Sequence, residues 1–516
     1  MSRMFRAFAT VGGWTMGSRL LGFARDMAIA AALGSGPAAQ AFVIAFSLPN
    51  LFRRFFAEGA FNMAFVPMFA KKLDGDGPAH AHAFAEDAMA ALAGVLVAFT
   101  LVAMALMPWL VLGLASGFAG DERLALATEY GRIAFPYILF ISIAALLSGV
   151  LNAMNRFAAA AAAPILLNII LLGALALAGA AGFDPGAALV WGVVVAGVAQ
   201  MAMLWRAAAR AGMRLRLRVP RMTPQLKRLA IIAGPAALAG GVVQINLVVG
   251  RQVASHFDGA VAWLYYADRL YQLPLGVVGV AIGVVLLPDL ARRLRAEDGA
   301  GGRDAANRAA EFGLALTLPA AVALVAIPLP LVSVLFGRGA FGTEDAIATA
   351  AAAAIYGVGL PAFVLQKVLQ PIYFARENTR APFTIALWGM AINVVAALAL
   401  APVIGFLAAA VGTTLAGWIN VVMLWRGARG FGGAARIDAR LRARAPRMLA
   451  ASLVMGLCAW SMAGLFAGAL AAPGLRFAAL ALLIVASTLI YFAAASAFGA
   501  VRLPELRALM RRAPRA

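Results

Sequence analysis

The chain is written in long apolar runs separated by short polar, arginine-rich segments. A membrane helix needs about 20 mainly apolar residues. Strands of a membrane barrel alternate apolar and polar positions and would read as polar on average. Continuous runs instead predict helices, which satisfy their own backbone groups in hydrocarbon. The pattern predicts fourteen spans, over residues 6–33, 39–70, 85–112, 126–154, 158–181, 186–208, 228–254, 261–292, 307–336, 344–376, 381–401, 405–427, 445–470 and 476–499. Several exceed the minimum length, which leaves room for tilt or a kink. Pro49, Pro67, Pro136, Pro164, Pro235, Pro274, Pro288, Pro361 and Pro371 fall within them, and each removes a backbone donor. The expected fold class is therefore an all-α polytopic membrane protein.

Composition agrees with this. Of 516 residues, 64% are hydrophobic and 13% charged, against about 25% charged in a soluble domain. The mean hydropathy is +0.89. The net charge is +21, but the arginines gather at the ends of apolar runs. No nucleic-acid motif accompanies them, so they read as topology signals and no nucleic-acid partner is expected. With the N-terminus in the cytoplasm, the basic segments around 206–228, 292–308, 426–447 and 502–515 all fall on the cytoplasmic side. Only Arg123, Arg132, Arg338 and Arg476 fall on the other. Both termini are thus expected in the cytoplasm, with the inner membrane as location. The first apolar run is interrupted by Arg19, Arg25 and Asp26, so it predicts a retained membrane helix, not a cleaved signal. Cys458 is the one cysteine, which excludes a disulfide framework. His80 and His82 lack the Cys or acidic company of a metal site, and no metal is expected.

The two halves echo each other. Met203-Leu204-Trp205-Arg206 recurs as Met423-Leu424-Trp425-Arg426, Val66-Pro67 through Leu73 resembles Leu287-Pro288 through Leu294, and Pro136 and Asn168 map onto Pro361 and Asn393. The three matches lie in order at nearly one offset, 220, 221 and 225 residues. A six-span repeat keeps its orientation, which implies an axis along the membrane normal. The expected organisation is an N-terminal lobe over 1–226, a C-terminal lobe over 227–440, and a C-terminal helix pair with a basic tail over 441–516. Two similar lobes suggest a central cavity and rocking between two states.

Ionisable residues inside a bilayer are costly, at ~2.5–3.5 kcal/mol each on insertion scales, and usually face a wet cavity or a partner. The first two spans carry Arg19, Arg25, Arg53 and Arg54, with Asp26 and Glu58 as the acids. Arg19 and Asp26 lie seven apart, on nearly one helical face. Arg54 and Glu58 are spaced to pair at i,i+4. The second half adds Arg269 beside Asp268. Positive charge is left over, and the planar guanidinium fork suits phosphate. The alternative is that Arg25 and Asp26 neutralise each other while Arg53 and Arg54 snorkel to an interface. The acidic pairs sit in loops, and there is no P-loop and no nucleophile elbow. No enzyme, cofactor or ATP site is therefore expected. The drive would come from an ion gradient, the membrane potential or substrate turnover.

The runs Ser18-Arg19 through Arg25-Asp26, Leu48-Pro49-Asn50 through Arg53-Arg54, Ala57-Glu58-Gly59-Ala60-Phe61, Asn152 through Phe157 and Tyr265-Tyr266-Ala267-Asp268-Arg269-Leu270 closely resemble the MurJ (MviN) family of lipid II flippases. This family belongs to the multidrug/oligosaccharidyl-lipid/polysaccharide exporter superfamily. The likeness runs over the whole chain. It implies transfer of lipid II, the undecaprenyl-diphosphate-linked peptidoglycan precursor, from the cytoplasmic to the periplasmic leaflet by alternating access. It implies Arg19, Arg25, Arg53, Arg269 and Asn50 as substrate-binding residues. Asp26, Glu58, Arg54 and Asp268 would pair charges or gate. It implies a groove on the last two spans suited to the polyprenyl tail. Lipid II, membrane lipids and other cell-wall synthesis proteins are the partners it suggests. Gln40 and Gln272 depart from members that are acidic there, which bears on any shared gating or proton coupling. The rival readings are an exporter of another lipid-linked oligosaccharide and a non-transporting scaffold for cell-wall synthesis. A cationic-drug exporter would need an acidic cavity.

Overall fold

The computed structural model describes residues 3–53, 60–281, 299–431 and 436–501, with side chains except at 3–10, 60, 63, 234–247, 277, 279–281 and 299. Among the described residues the regular elements are all helices. The chain forms two compact units, Met1–Ala262 and Trp263–Ala516.

The first unit contains α1 (Arg3–Leu33), α2 (Pro37–Arg53), α3 (Ala60–Gly75), α4 (Pro78–Ala105), α5 (Met107–Leu114), α6 (Glu122–Ala134), α7 (Tyr137–Ala153), α8 (Phe157–Ala181), α9 (Pro185–Arg210) and α10 (Pro224–Ser255). Local chemistry sets the ends. Asp184 and Thr223 cap α9 and α10 by accepting from the amides of Ala187 and Leu226, each with proline next in the chain. Gly182 ends α8 at φ 71°, a left-handed turn that glycine takes without strain. α1 packs on α8, α8 and α7 on α9, and α2 on α6. Phe42, Phe65, Phe69, Phe135 and Tyr137 are fully buried between them.

The second unit takes most of α11 (Ala260–Ala281), then α12 (Gly299–Ala326), α13 (Pro328–Phe336), α14 (Thr343–Phe374), α15 (Arg380–Ile404), α16 (Leu407–Ala428), α17 (Ala439–Leu465), α18 (Ala467–Ala471) and α19 (Arg476–Ala497). α15 packs on α16, α12 and α16 on α14, and α17 on both α12 and α19.

Ten described helical stretches are long and apolar enough to cross a membrane. The other four expected spans fall on α1, on α2 with α3, on α10 and on α11, which are helical where described. Large apolar side chains face outward on these helices, among them Trp109, Leu177, Leu398 and Leu489. That is the surface a bilayer covers. Several spans bend at proline. α6 gives way to α7 at Phe135–Pro136, and α12 to α13 at Ile327 before Pro328. Pro49, Pro67, Pro164, Pro274, Pro361 and Pro371 instead run inside helices.

Candidate functional site

The charges inside α1 divide sharply. Arg19 is exposed. Arg25 and Asp26 are buried at 8% and 1% exposure. The Arg25 guanidinium donates to Asp26 Oδ1 from Nε at 3.0 Å and from Nη2 at 2.6 Å. Its Nη1 donates to Asn168 Oδ1 on α8 at 3.0 Å. Asn168 Nδ2 in turn donates to the Ser18 carbonyl at 2.9 Å. Gly22 lets α8 come this close, since a Cβ there would lie 3.5 Å from the Asn168 amide. The charge of Arg25 is thus met by a carboxylate and an amide dipole, as a buried cation requires.

Asn50 and Arg53, one helical turn apart on α2, line a cavity of about 500 Å³ within the first unit. Asn62, Tyr137, Ser148, Asn152 and Gln200 supply its other polar lining. Asn50 Nδ2 donates to the Phe46 carbonyl at 2.8 Å, and Gln200 Nε2 to that of Ala163 at 2.8 Å. Asn50 thus has one amide hydrogen bond to its own helix, and its amide oxygen is a further acceptor at the cavity. A cavity of this size with a few polar groups is typical of a small-molecule or headgroup site. Arg25 does not line it. Arg54 and Glu58 lie outside the described residues. In the second unit, Arg269 Nη2 meets Asp268 Oδ2 at 3.0 Å and its guanidinium stacks 4.8 Å from the Tyr265 ring.

Both glutamines that depart from the family pattern join charged groups. Gln272 Nε2 donates to Asp268. Gln40 Oε1 accepts from Arg123 Nη1 at 3.2 Å. Arg123 also holds Asp121, reaches Asp258 at 3.2 Å and lies 4.6 Å from the Phe118 ring. Beside it, Gln252 accepts from the Ser116 amide at 2.8 Å and Ser255 Oγ from the Gly117 amide at 3.0 Å. Burial raises the Asp121 pKa, but hydrogen bonds and charge from Arg123 outweigh it and hold the carboxyl below its ordinary value.

The chain belongs to the MurJ family. The family model described as "Lipid II flippase MurJ" matches residues 29–486. A relative from Rhizobium meliloti (strain 1021), named "Probable lipid II flippase MurJ", is 45% identical over 99% of this chain and 96% of its own. The "Lipid II flippase MurJ" of Burkholderia cenocepacia is 33% identical over 95% of this chain and 96% of its own. A solved structure titled "Lipid II flippase MurJ, inward closed conformation" superposes at a TM-score of 0.80, with 22% identity over 95% of this chain and 98% of that one. This MurJ family member is a multi-pass protein of the bacterial inner membrane.

Two groups in this MurJ family member escaped sequence reasoning. Glu86 on α4 is fully buried. It accepts from the Arg216 amide at 2.8 Å and pairs with Arg218 at 2.6 Å, while His82 lies 3.1 Å from the Arg214 carbonyl. These contacts strap the basic segment after α9 along α4. The alternating Met-Arg-Leu-Arg-Leu-Arg-Val from Met213 was a signal for such an extended strap. Glu311 on α12 holds Arg308, Arg440 and Arg444, with Arg440 Nε at 3.1 Å. Asp438, which caps α17, pairs with Arg308 and its amide donates to Asn307 Oδ1 at 3.0 Å. Arg308 and Glu311 are one turn apart on α12, but the other partners stand more than a hundred residues apart, which spacing alone does not link.

Proposed function

We propose that this protein flips lipid II from the cytoplasmic to the periplasmic leaflet of the inner membrane by alternating access. The observation that carries this reading is the full-length similarity to relatives named for that activity. The geometry agrees chemically. A diphosphate needs forked cationic donors in a partly dry site, and Arg53 with Asn50 offers a donor fork and an amide at one cavity. Arg25 is engaged with Asp26 and Asn168. In this reading it reaches the substrate by exchanging carboxylate for diphosphate, with Asp26 as the group that holds it between cycles. Arg19 and Arg269 add charge in the same sense, and Asp268, Arg54 and Glu58 pair or gate. The protein acts as a transporter with no catalytic step of its own, driven by an ion gradient, the membrane potential or removal of the product. In this reading both termini face the cytoplasm, which the arginine asymmetry supports. The two lobes of the sequence repeat supply the moving parts, with the last helix pair beside them.

Native mass spectrometry of the purified protein with lipid II, against a phospholipid of similar charge, tests this. Selective lipid II binding, weakened roughly tenfold by Arg53→Ala, is the expected result. Binding that is unselective and indifferent to Arg53 and Asn50 would sink the assignment of the substrate to this cavity.

A further inference from the structure

Two arginines of the second unit stack against one aromatic ring. Arg338 sits in the turn after α13, and Arg476 is the first residue of α19. Their guanidinium carbons lie 5.3 and 5.4 Å from the centre of one ring, Phe477. Arg476 Nη1 donates to the Gly337 carbonyl at 3.1 Å, and Arg338 Nη2 donates to the carbonyl of Leu335. Arg476 Nε is buried without an acceptor. Among the described residues neither arginine has a carboxylate partner. Asp345, the nearest acid in sequence that points inward, is taken up by Trp263 Nε1 at 2.8 Å and the Gly342 amide at 2.8 Å.

This arrangement is costly as it stands. Like charges that share a half-buried site repel, and burial strengthens the repulsion. Burial, and then the charge of Arg476, pull the Arg338 pKa below its ordinary value. The turn is nonetheless built to hold Arg338 there. A Cβ on Gly337 would come within 2.4 Å of the Ser333 carbonyl, and Gly339 takes φ 58°. α19 also begins with no acidic residue in its first turn and no side-chain cap, so its amides add positive potential. An anion between the two forks would turn a repulsive pair into a bridged one.

The surroundings say what kind of anion. Leu475 and Phe477 are exposed beside Arg476, and Leu465, Leu329 and Trp460 are exposed toward the other end of α13. An apolar cavity opens between Ala326–Pro330 and Trp460–Leu465. It lies at the other end of α13, about 13 Å away at 1.5 Å per residue. Charge at a centre with apolar surface around it fits an amphiphile, with its phosphate on the arginines and an acyl chain along α13.

We infer that Arg338 and Arg476 form a binding site for the phosphodiester of an anionic glycerophospholipid. The site goes beyond lipid II flipping. It rests on that reading only for its leaflet, which the proposed orientation makes periplasmic.

The test uses the full chain in nanodiscs of phosphatidylcholine with or without phosphatidylglycerol, released for native mass spectrometry. Arg338→Ala and Arg476→Ala should each retain one phosphatidylglycerol fewer than the parent, with roughly tenfold weaker retention. Arg132→Ala, an arginine of the first unit, should match the parent. The melting temperature gives a second readout with a sign. Without anionic lipid, removing either arginine relieves repulsion and raises it. With phosphatidylglycerol, the same change lowers it. Unchanged lipid retention in both variants would overturn the site. So would a parent whose melting temperature responds to inorganic phosphate alone and not to phosphatidylglycerol. Lipid II binding by both variants should stay at the parent level, so failure here leaves the flipping reading intact.

Discussion

At Arg25 the guanidinium has a carboxylate on its own helix and an amide on the neighbouring one. The two partners are not equivalent. Asp26→Asn takes away the compensating charge and leaves a buried cation, which costs about 3–5 kcal/mol. Asn168→Ala removes one hydrogen bond to a charged group and frees the Ser18 carbonyl, at about 1–3 kcal/mol. Thermal unfolding in detergent should therefore rank Asp26→Asn well below Asn168→Ala. Equal melting temperatures would mean that the pair is not what holds Arg25. The pairing of Arg25 with Asp26 was legible in the sequence because the two are adjacent. Asn168 was legible only as the counterpart of Asn393 in the internal repeat. Its contact with Arg25 spans 143 residues, and only the fold brings them together. Arg53 was legible as an in-span charge and Asn50 through the family resemblance, but the cavity they line depends on Tyr137 and Gln200 from other helices.

Among elements, the strap along α4 has the clearest consequence. Met213 and Leu215 are buried while the intervening arginines are exposed, and Gly94 further along α4 would place a Cβ 3.2 Å from Pro220. One buried carboxylate, Glu86, anchors this run by an amide and a guanidinium. Glu86→Ala should expose Arg216 and Arg218 to trypsin and raise cleavage there several-fold. Glu86→Gln, which keeps an acceptor for the Arg216 amide, should fall between. Cleavage unchanged in both would show that packing alone holds the strap. The spans were readable as elements because long apolar runs admit one structure in lipid. Their internal breaks were less so. Pro136 and Pro328 stand at helix starts whereas Pro361 and Pro371 run inside a helix, a difference that the proline positions alone do not announce.

For the whole molecule, the arginine distribution predicts which loops face which side. In a Cys458→Ser background, Gly339→Cys should react with a membrane-impermeant maleimide in intact spheroplasts. A cysteine at the exposed Arg210 should react only after lysis. The reverse pattern would invert the proposed topology and, with it, the leaflet of the lipid site. The basic clusters that set this orientation were visible in the sequence as charge. What they grip was not, since Glu86 takes its arginines from the segment after α9, and Glu311, besides Arg308 on its own helix, takes Arg440 and Arg444 from α17.

The grip of Glu311 on Arg440 and Arg444 also has a mechanical meaning. It ties α17 to α12 through an ionic cluster in which Glu311 and Arg444 are buried and Arg440 is exposed, with Asn307 and Asp438 closing the joint. α19 packs on α17 in turn. The last helix pair is thus a passenger bolted to its unit, not an arm that swings by itself. Any tilt of α12 is delivered to the pair as leverage, and a chain lying along it would be dragged with each stroke.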